Sequence, residues 1–110
     1  LARGGRAGAE ELRASLDLFV RHRADLARER GKILMHTGPA TQGSHYLLFD
    51  YSTAALAAAA LPAGARARYR EAILEEVLRL RAAGGCFIDN PSRGRACGTG
   101  LALLALAALR

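Results

Sequence analysis

Tryptophan is absent, and three tyrosines and three phenylalanines are the only aromatics. Cavities that stabilise carbocations are built from aromatic faces, so this scarcity argues against a cyclase pocket within the chain. Lysine occurs once, at Lys32. The glycine-rich run Gly94 to Gly100 has none, which rules out a phosphate-binding loop of the usual type. No Gly-x-Ser-x-Gly elbow exists; Gln42-Gly43-Ser44-His45 falls short of it. No apolar run approaches the roughly 18 residues that a membrane span needs, the longest being Leu101 to Leu109. Metal ligands are also sparse. His36, His45, Asp50, Asp89, Cys86 and Cys97 form the available set, and none makes a Cys-x-x-Cys or His-x-x-x-His pair. No metal site and no cofactor is expected. Cys86 and Cys97 flank one loop; they are either buried free thiols or a loop-closing disulfide worth about 3 kcal/mol in the chain-entropy picture.

Hydrophobic residues make up 51% of the 110, chiefly Ala and Leu, so the chain is globular and leans all-α. Net charge is +6, almost entirely from arginine. The arginines are interleaved with acids, as in Arg66-Ala-Arg68-Tyr69-Arg70-Glu71. That pattern describes a solvated helix face with ion pairs and not a nucleic-acid surface. The start at Leu1 and the stop at Arg110, straight after an apolar run, lead us to expect a section of a longer polypeptide.

Residues 1–8 read as a linker or frayed end. From 9 to 29, Leu12, Leu16, Phe19, Val20 and Leu26 share one face, opposite Arg13, Asp17, Arg21, Asp25 and Arg28, which predicts an amphipathic helix. After a Gly/Pro loop, residues 46–61 predict a helix apolar on every side. A third helix is predicted at 66–83, with Tyr69, Ile73, Val77 and Leu80 inward and Arg70, Glu71, Glu75, Glu76 and Arg79 outward. A fourth, again Ala/Leu-rich, is predicted at 98–109. No sheet is expected, and the second and fourth helices should be the more buried pair.

The order amphipathic, apolar, amphipathic, apolar divides residues 9–110 into two helix–loop–helix repeats, about 9–61 and 66–110. Tyr51-Ser52-Thr53-Ala54 matches Cys97-Gly98-Thr99-Gly100, each opening an Ala/Leu run. Such alternation predicts a solenoid or an α/α toroid.

Three segments of the second half carry a family resemblance: Tyr69-Arg70-Glu71-Ala72-Ile73-Leu74, Gly84-Gly85-Cys86-Phe87, and Gly98-Thr99-Gly100-Leu101-Ala102-Leu103-Leu104-Ala105-Leu106. Together they resemble a repeat of the prenyltransferase/squalene-cyclase type, and Asp50 to Leu56 is a degenerate version in the first half. The resemblance implies an all-α fold, part of an α/α toroid whose remaining repeats lie elsewhere in the same chain. It departs from the family pattern where Gly84 replaces Asp, Cys86 replaces Ser and Cys97 replaces Tyr. The family's acidic general-acid motif, the magnesium motif of terpene synthases, the thioester run of complement-like toroids and the zinc element of lanthionine cyclases are all missing. A fold does not confer function. The expectation is therefore a non-catalytic binding or scaffold module, with a small apolar ligand as one partner. The alternatives are a section of a terpenoid enzyme whose catalytic residues lie outside it, and a plain helical interaction repeat.

In a toroid the inner helices point their N-termini at one rim. His45, Tyr46, Asp50 and Tyr51, with Phe87 and Asp89 from the matching loop, are the candidate ligand-binding residues. No catalytic residue is assigned. The competing reading of Asp50 is that it bonds to nearby backbone or arginine and holds the loop shut.

Overall fold

The computed structural model describes residues 8–28, 30 and 46–110. Within them the chain is all-helical. Helix α1 (Ala9–Arg21) opens with the Glu11 carboxylate accepting the Gly8 N–H at 2.7 Å, half of a capping box. It ends at Arg21, eight residues before the predicted end. The His22 carbonyl accepts the N–H of both Asp25 and Leu26, and a short α2 (Arg23–Ala27) follows. The apolar stripe thus continues through Leu26 on a redirected axis.

The Ala/Leu run forms α3 (Leu47–Ala59), and Leu61-Pro62 turns the chain into α4 (Ala63–Arg79). Helix α4 starts three residues before its predicted start, because Pro62 serves as its N-cap and does not break it. It ends four residues early because the backbone of 80–88 is spent on a small hairpin. Ala82 N–H donates to Cys86 O at 2.8 Å, and Arg81 and Phe87 form an isolated antiparallel bridge. Gly84 (φ 85) and Gly85 (φ 83) supply its left-handed turn. No longer strand occurs among the described residues. An Asn90 turn, in which the side-chain oxygen accepts Ser92 N–H at 2.9 Å, leads into α5 (Gly94–Ala108) a turn ahead of its predicted start.

Helix α3 is the centre of the molecule. It packs most extensively on α5, then on α4 and α1. Leu47, Leu48, Tyr51, Ala54, Ala55 and Ala58 from α3 meet Leu16 of α1, Ile73 and Val77 of α4, and Ala102 and Ala105 of α5. The small alanines let α3 and α5 approach closely. The two run parallel. Tyr46, the N-cap of α3, bonds Arg93, the N-cap of α5, and at the other end Ala58 and Ala59 share a crevice with Ala108 and Leu109. Helix α4 returns antiparallel between these ends. Helix α1 lies parallel to α4, with Arg13 near Pro62, Asp17 at Tyr69 and Val20 near Ala72.

Two arginines of α4 close the C-terminal ends of the apolar helices. Arg66 Nε donates to Leu61 O at 2.5 Å and Arg70 Nε to Leu109 O at 2.7 Å. A cation on otherwise unpaired carbonyls also opposes the negative end of the helix dipole.

Two sequence expectations need correction. Helices α3 and α5 are not the more buried pair: α5 buries Gly98, Ala102 and Ala105, no more than the Tyr69, Ile73, Glu76 and Val77 of α4, and its Leu103 and Leu104 are 59% and 46% exposed. Its packing is on α3 and only slightly on α4, so its far side has no neighbour among the described residues. Glu76 does not face out but is 4% exposed. It falls on the same stripe as Tyr69, Ile73, Val77 and Leu80, where helical spacing places it.

Candidate functional site

The predicted site residues surround the first turns of α3, but they divide into two groups. His45 lies outside the described residues. Tyr46 is half-buried. Its hydroxyl accepts Arg93 Nε at 3.0 Å, and the guanidinium carbon stands 5.8 Å from the ring centroid. Tyr46 therefore locks the N-termini of α3 and α5 together. Asp50 is half-buried in the first turn of α3, where a carboxylate suits the helix dipole.

From the hairpin, Phe87 is in the core cluster at 5% exposure, and its N–H donates to Thr99 Oγ1 at 3.0 Å. Asp89 is 1% exposed, and neither of its oxygens closes a hydrogen bond of normal geometry among the described residues. Burial pushes its carboxyl above the usual range; the N–H groups of Leu48, Leu47 and Phe49 at the head of α3 pull it partly back. These amides are the unpaired donors of a helix start. Asp89 thus stands opposite the N-terminus of α3 from the loop that feeds α5. That sets the loop before α5 against the head of α3, inside the protein and not on an open rim.

The second group lies between α3, α1 and α4. Tyr51 is 2% exposed and meets Phe19 edge-on, with ring centroids 5.2 Å apart. Its hydroxyl has no hydrogen-bond partner among the described residues. Burial raises its pKa to about 12, helped by Glu76 and Asp50 and opposed by Arg30 and Arg23. Glu76 accepts Arg30 Nη2 at 2.9 Å and Arg79 Nη1 at 2.9 Å. The result is a buried carboxylate held by two cations beside an unsatisfied phenol. At neutral pH Tyr51 stays protonated and can only donate or accept a hydrogen bond, so it is no base.

Sequence reasoning missed Glu76, Arg30 and Arg93. The register of Glu76 on the α4 stripe could have found it. Arg30 and Arg93 carry no local signal, because each is defined by a partner 46 or 47 residues away. Cys86 and Cys97 are free thiols, the first half-buried and the second exposed. Among the described residues no three His, Cys, Asp or Glu side chains converge as metal ligands, and no helix is long and apolar enough to cross a membrane. Comparison of the chain with protein-family models, with curated proteins and with solved structures returns no match.

Proposed function

We propose that this chain is a non-catalytic binding or scaffold module: two helix–loop–helix repeats of an α/α toroid of the prenyltransferase/squalene-cyclase type, whose remaining repeats cover its open flank. The observation that carries the reading is an asymmetry between α3 and α5. Pairing Tyr51-Ser52-Thr53-Ala54 with Cys97-Gly98-Thr99-Gly100 sets Ala54 and Ala58 against Gly100 and Leu104. The α3 members are buried, at 6% and 1% exposure, whereas Gly100 and Leu104 are exposed. The face that α3 gives to its neighbours is therefore the face that α5 leaves open.

Two exposed leucines on that face are costly. Full burial of each is worth about 1.5–3 kcal/mol, and a contiguous apolar flank marks an interaction surface. The parallel course of α3 and α5, and of α1 and α4, supports the same reading. The Tyr51 hydroxyl does not amount to an active site, since it is buried and has no partner for proton transfer among the described residues.

Light scattering on the 110-residue chain tests this. The native sequence should self-associate through the flank, and Leu103→Glu with Leu104→Glu should be monomeric with the same helical content. A native chain that is monodisperse and monomeric at tens of micromolar contradicts the proposal.

A further inference from the structure

The outer layer carries a second surface that the proposed scaffold role does not use. Helices α1 and α4 touch lightly, and an open groove runs between them. One bridge crosses it. Tyr69 donates its hydroxyl to Asp17 at 2.7 Å, Arg68 Nη2 donates to the Tyr69 oxygen at 2.9 Å, and Arg68 also pairs directly with Asp17. The guanidinium carbon of Arg68 lies 4.6 Å from the centroid of the Tyr69 ring. This closed set consumes the charge of Asp17, the acidic residue that lines the groove.

On either side of the bridge the groove has an apolar floor and a cationic rim. One half has Ala65 on the floor and Arg13 on the rim. The other has Val20 and Ala72 on the floor, with Arg21 and Arg23 on the rim. Those three arginines are exposed, and none makes an ion pair among the described residues. Several other arginines are engaged: Arg28 with Asp25, Arg30 and Arg79 with Glu76, Arg66 and Arg70 with helix-end carbonyls. Arg81, Arg95 and Arg110 are exposed and unpaired among the described residues as well, but they do not line this groove. Unpaired like charges at both ends of an apolar trough favour an anionic occupant.

The geometry points to this groove as the docking surface for an acidic peptide segment carrying two carboxylates with aliphatic side chains between them. Arg13 and Arg21 are eight residues apart on one helix, about 12 Å at 1.5 Å per residue. An extended segment matches that span with acids four residues apart, at about 3.3 Å per residue. The apolar floor takes the aliphatic side chains between the acids. The closed Asp17–Tyr69–Arg68 bridge stands midway between the cations and leaves no unpaired cation there for a continuous row of phosphates, which is why two carboxylates set apart on a peptide fit better than a nucleic acid. Because the contacts are rim charges, binding is salt-sensitive.

The test uses the whole chain and two labelled peptides of about twelve residues, one with a Glu-Leu-Ala-Leu-Glu centre and the other with Gln in place of both Glu. Fluorescence anisotropy at low salt should show the acidic peptide binding at least ten-fold tighter, and this preference should vanish at 0.5 M salt. Arg13→Glu, and separately Arg21→Glu with Arg23→Glu, should each weaken it ten-fold or more at unchanged melting temperature. Arg95→Glu, on α5 and outside the groove, should leave it unchanged. Should a Glu variant fail to fold, the Gln variant at the same position replaces it. Equal binding of the two peptides, or equal loss with Arg95→Glu, overturns the proposal. So does tighter binding of polyuridine RNA or phosphatidylserine vesicles through the same arginines.

Discussion

Gly98 approaches Phe87 so closely that a Cβ on it would stand 2.5 Å from the Phe87 carbonyl oxygen and 2.9 Å from the Asp89 nitrogen. The neighbouring Thr99 hydroxyl accepts the Phe87 N–H. The Gly-Thr pair that opens the second apolar run is thus a packing device. Glycine lets the hairpin backbone lie on α5, and threonine satisfies one of its donors. Gly98→Ala should destabilise the chain by about 1–3 kcal/mol, since the intruding atom meets backbone that cannot rotate away. Gly100→Ala is the contrast. Nothing lies within 4 Å of its would-be Cβ, so the gain in helix propensity should stabilise by up to about 1 kcal/mol. Thermal unfolding of the two variants checks the pair; equal effects would mean that the hairpin does not rest on Gly98.

Asp89 should make the protein less stable as acid is neutralised. Its folded pKa lies above the ordinary value of 3.8. Between those two values the folded state holds more proton than the unfolded state, so stability falls as pH rises through that window and levels off above it. Asp89→Asn keeps the shape without the buried charge. It should raise stability at pH 7 by about 1 kcal/mol, within the range for relieving an unsatisfied buried group, and flatten the acid limb. Chemical denaturation from pH 3 to 8 reads both effects. A loss of stability at pH 7 would instead show that the helix N-terminus outweighs burial.

Tyr51 and Glu76 separate scaffold from site. The Tyr51 hydroxyl is buried without a partner among the described residues, so Tyr51→Phe should be neutral or stabilising by up to about 1 kcal/mol. Glu76→Gln should cost about 1 kcal/mol. It breaks two charge-assisted hydrogen bonds, but Arg30 and Arg79 are 37% and 52% exposed and recover solvation. Denaturant midpoints measure both. A Tyr51→Phe variant destabilised by several kcal/mol would mean that its hydroxyl has a structural bond.

The helical class and three of the four predicted helices were legible because Ala/Leu runs and 3.6-residue stripes are local signals. The break at His22 was not legible. It depends on one carbonyl accepting two N–H groups, and nothing in the surrounding residues forbids a continuous helix. Asp89 was readable as a site candidate from its place in the matching loop, but not its burial. That follows from the parallel course of α3 and α5, which places the loop before α5 against the head of α3. Glu76 was misread as outward because its charge was weighed above its register. The groove arginines were legible as charged residues, yet only the tertiary structure shows which lack partners.

The parallel pairing of α3 and α5 underlies both the repeat reading and the open flank. Paired spin labels on exposed positions test it most directly. Labels at Ala60 and Ala107 sit near the C-terminal ends of the two helices, and labels at Phe49 and Ala96 near the N-terminal ends. Packed helices lie about 8–10 Å apart, so both pairs should give short distances with only the label linkers added. The crossed pair Ala60 and Ala96 should be longer by most of a helix length, about 15–20 Å. A short crossed distance with long end-to-end distances would mean that α3 and α5 are antiparallel, and the account would fail.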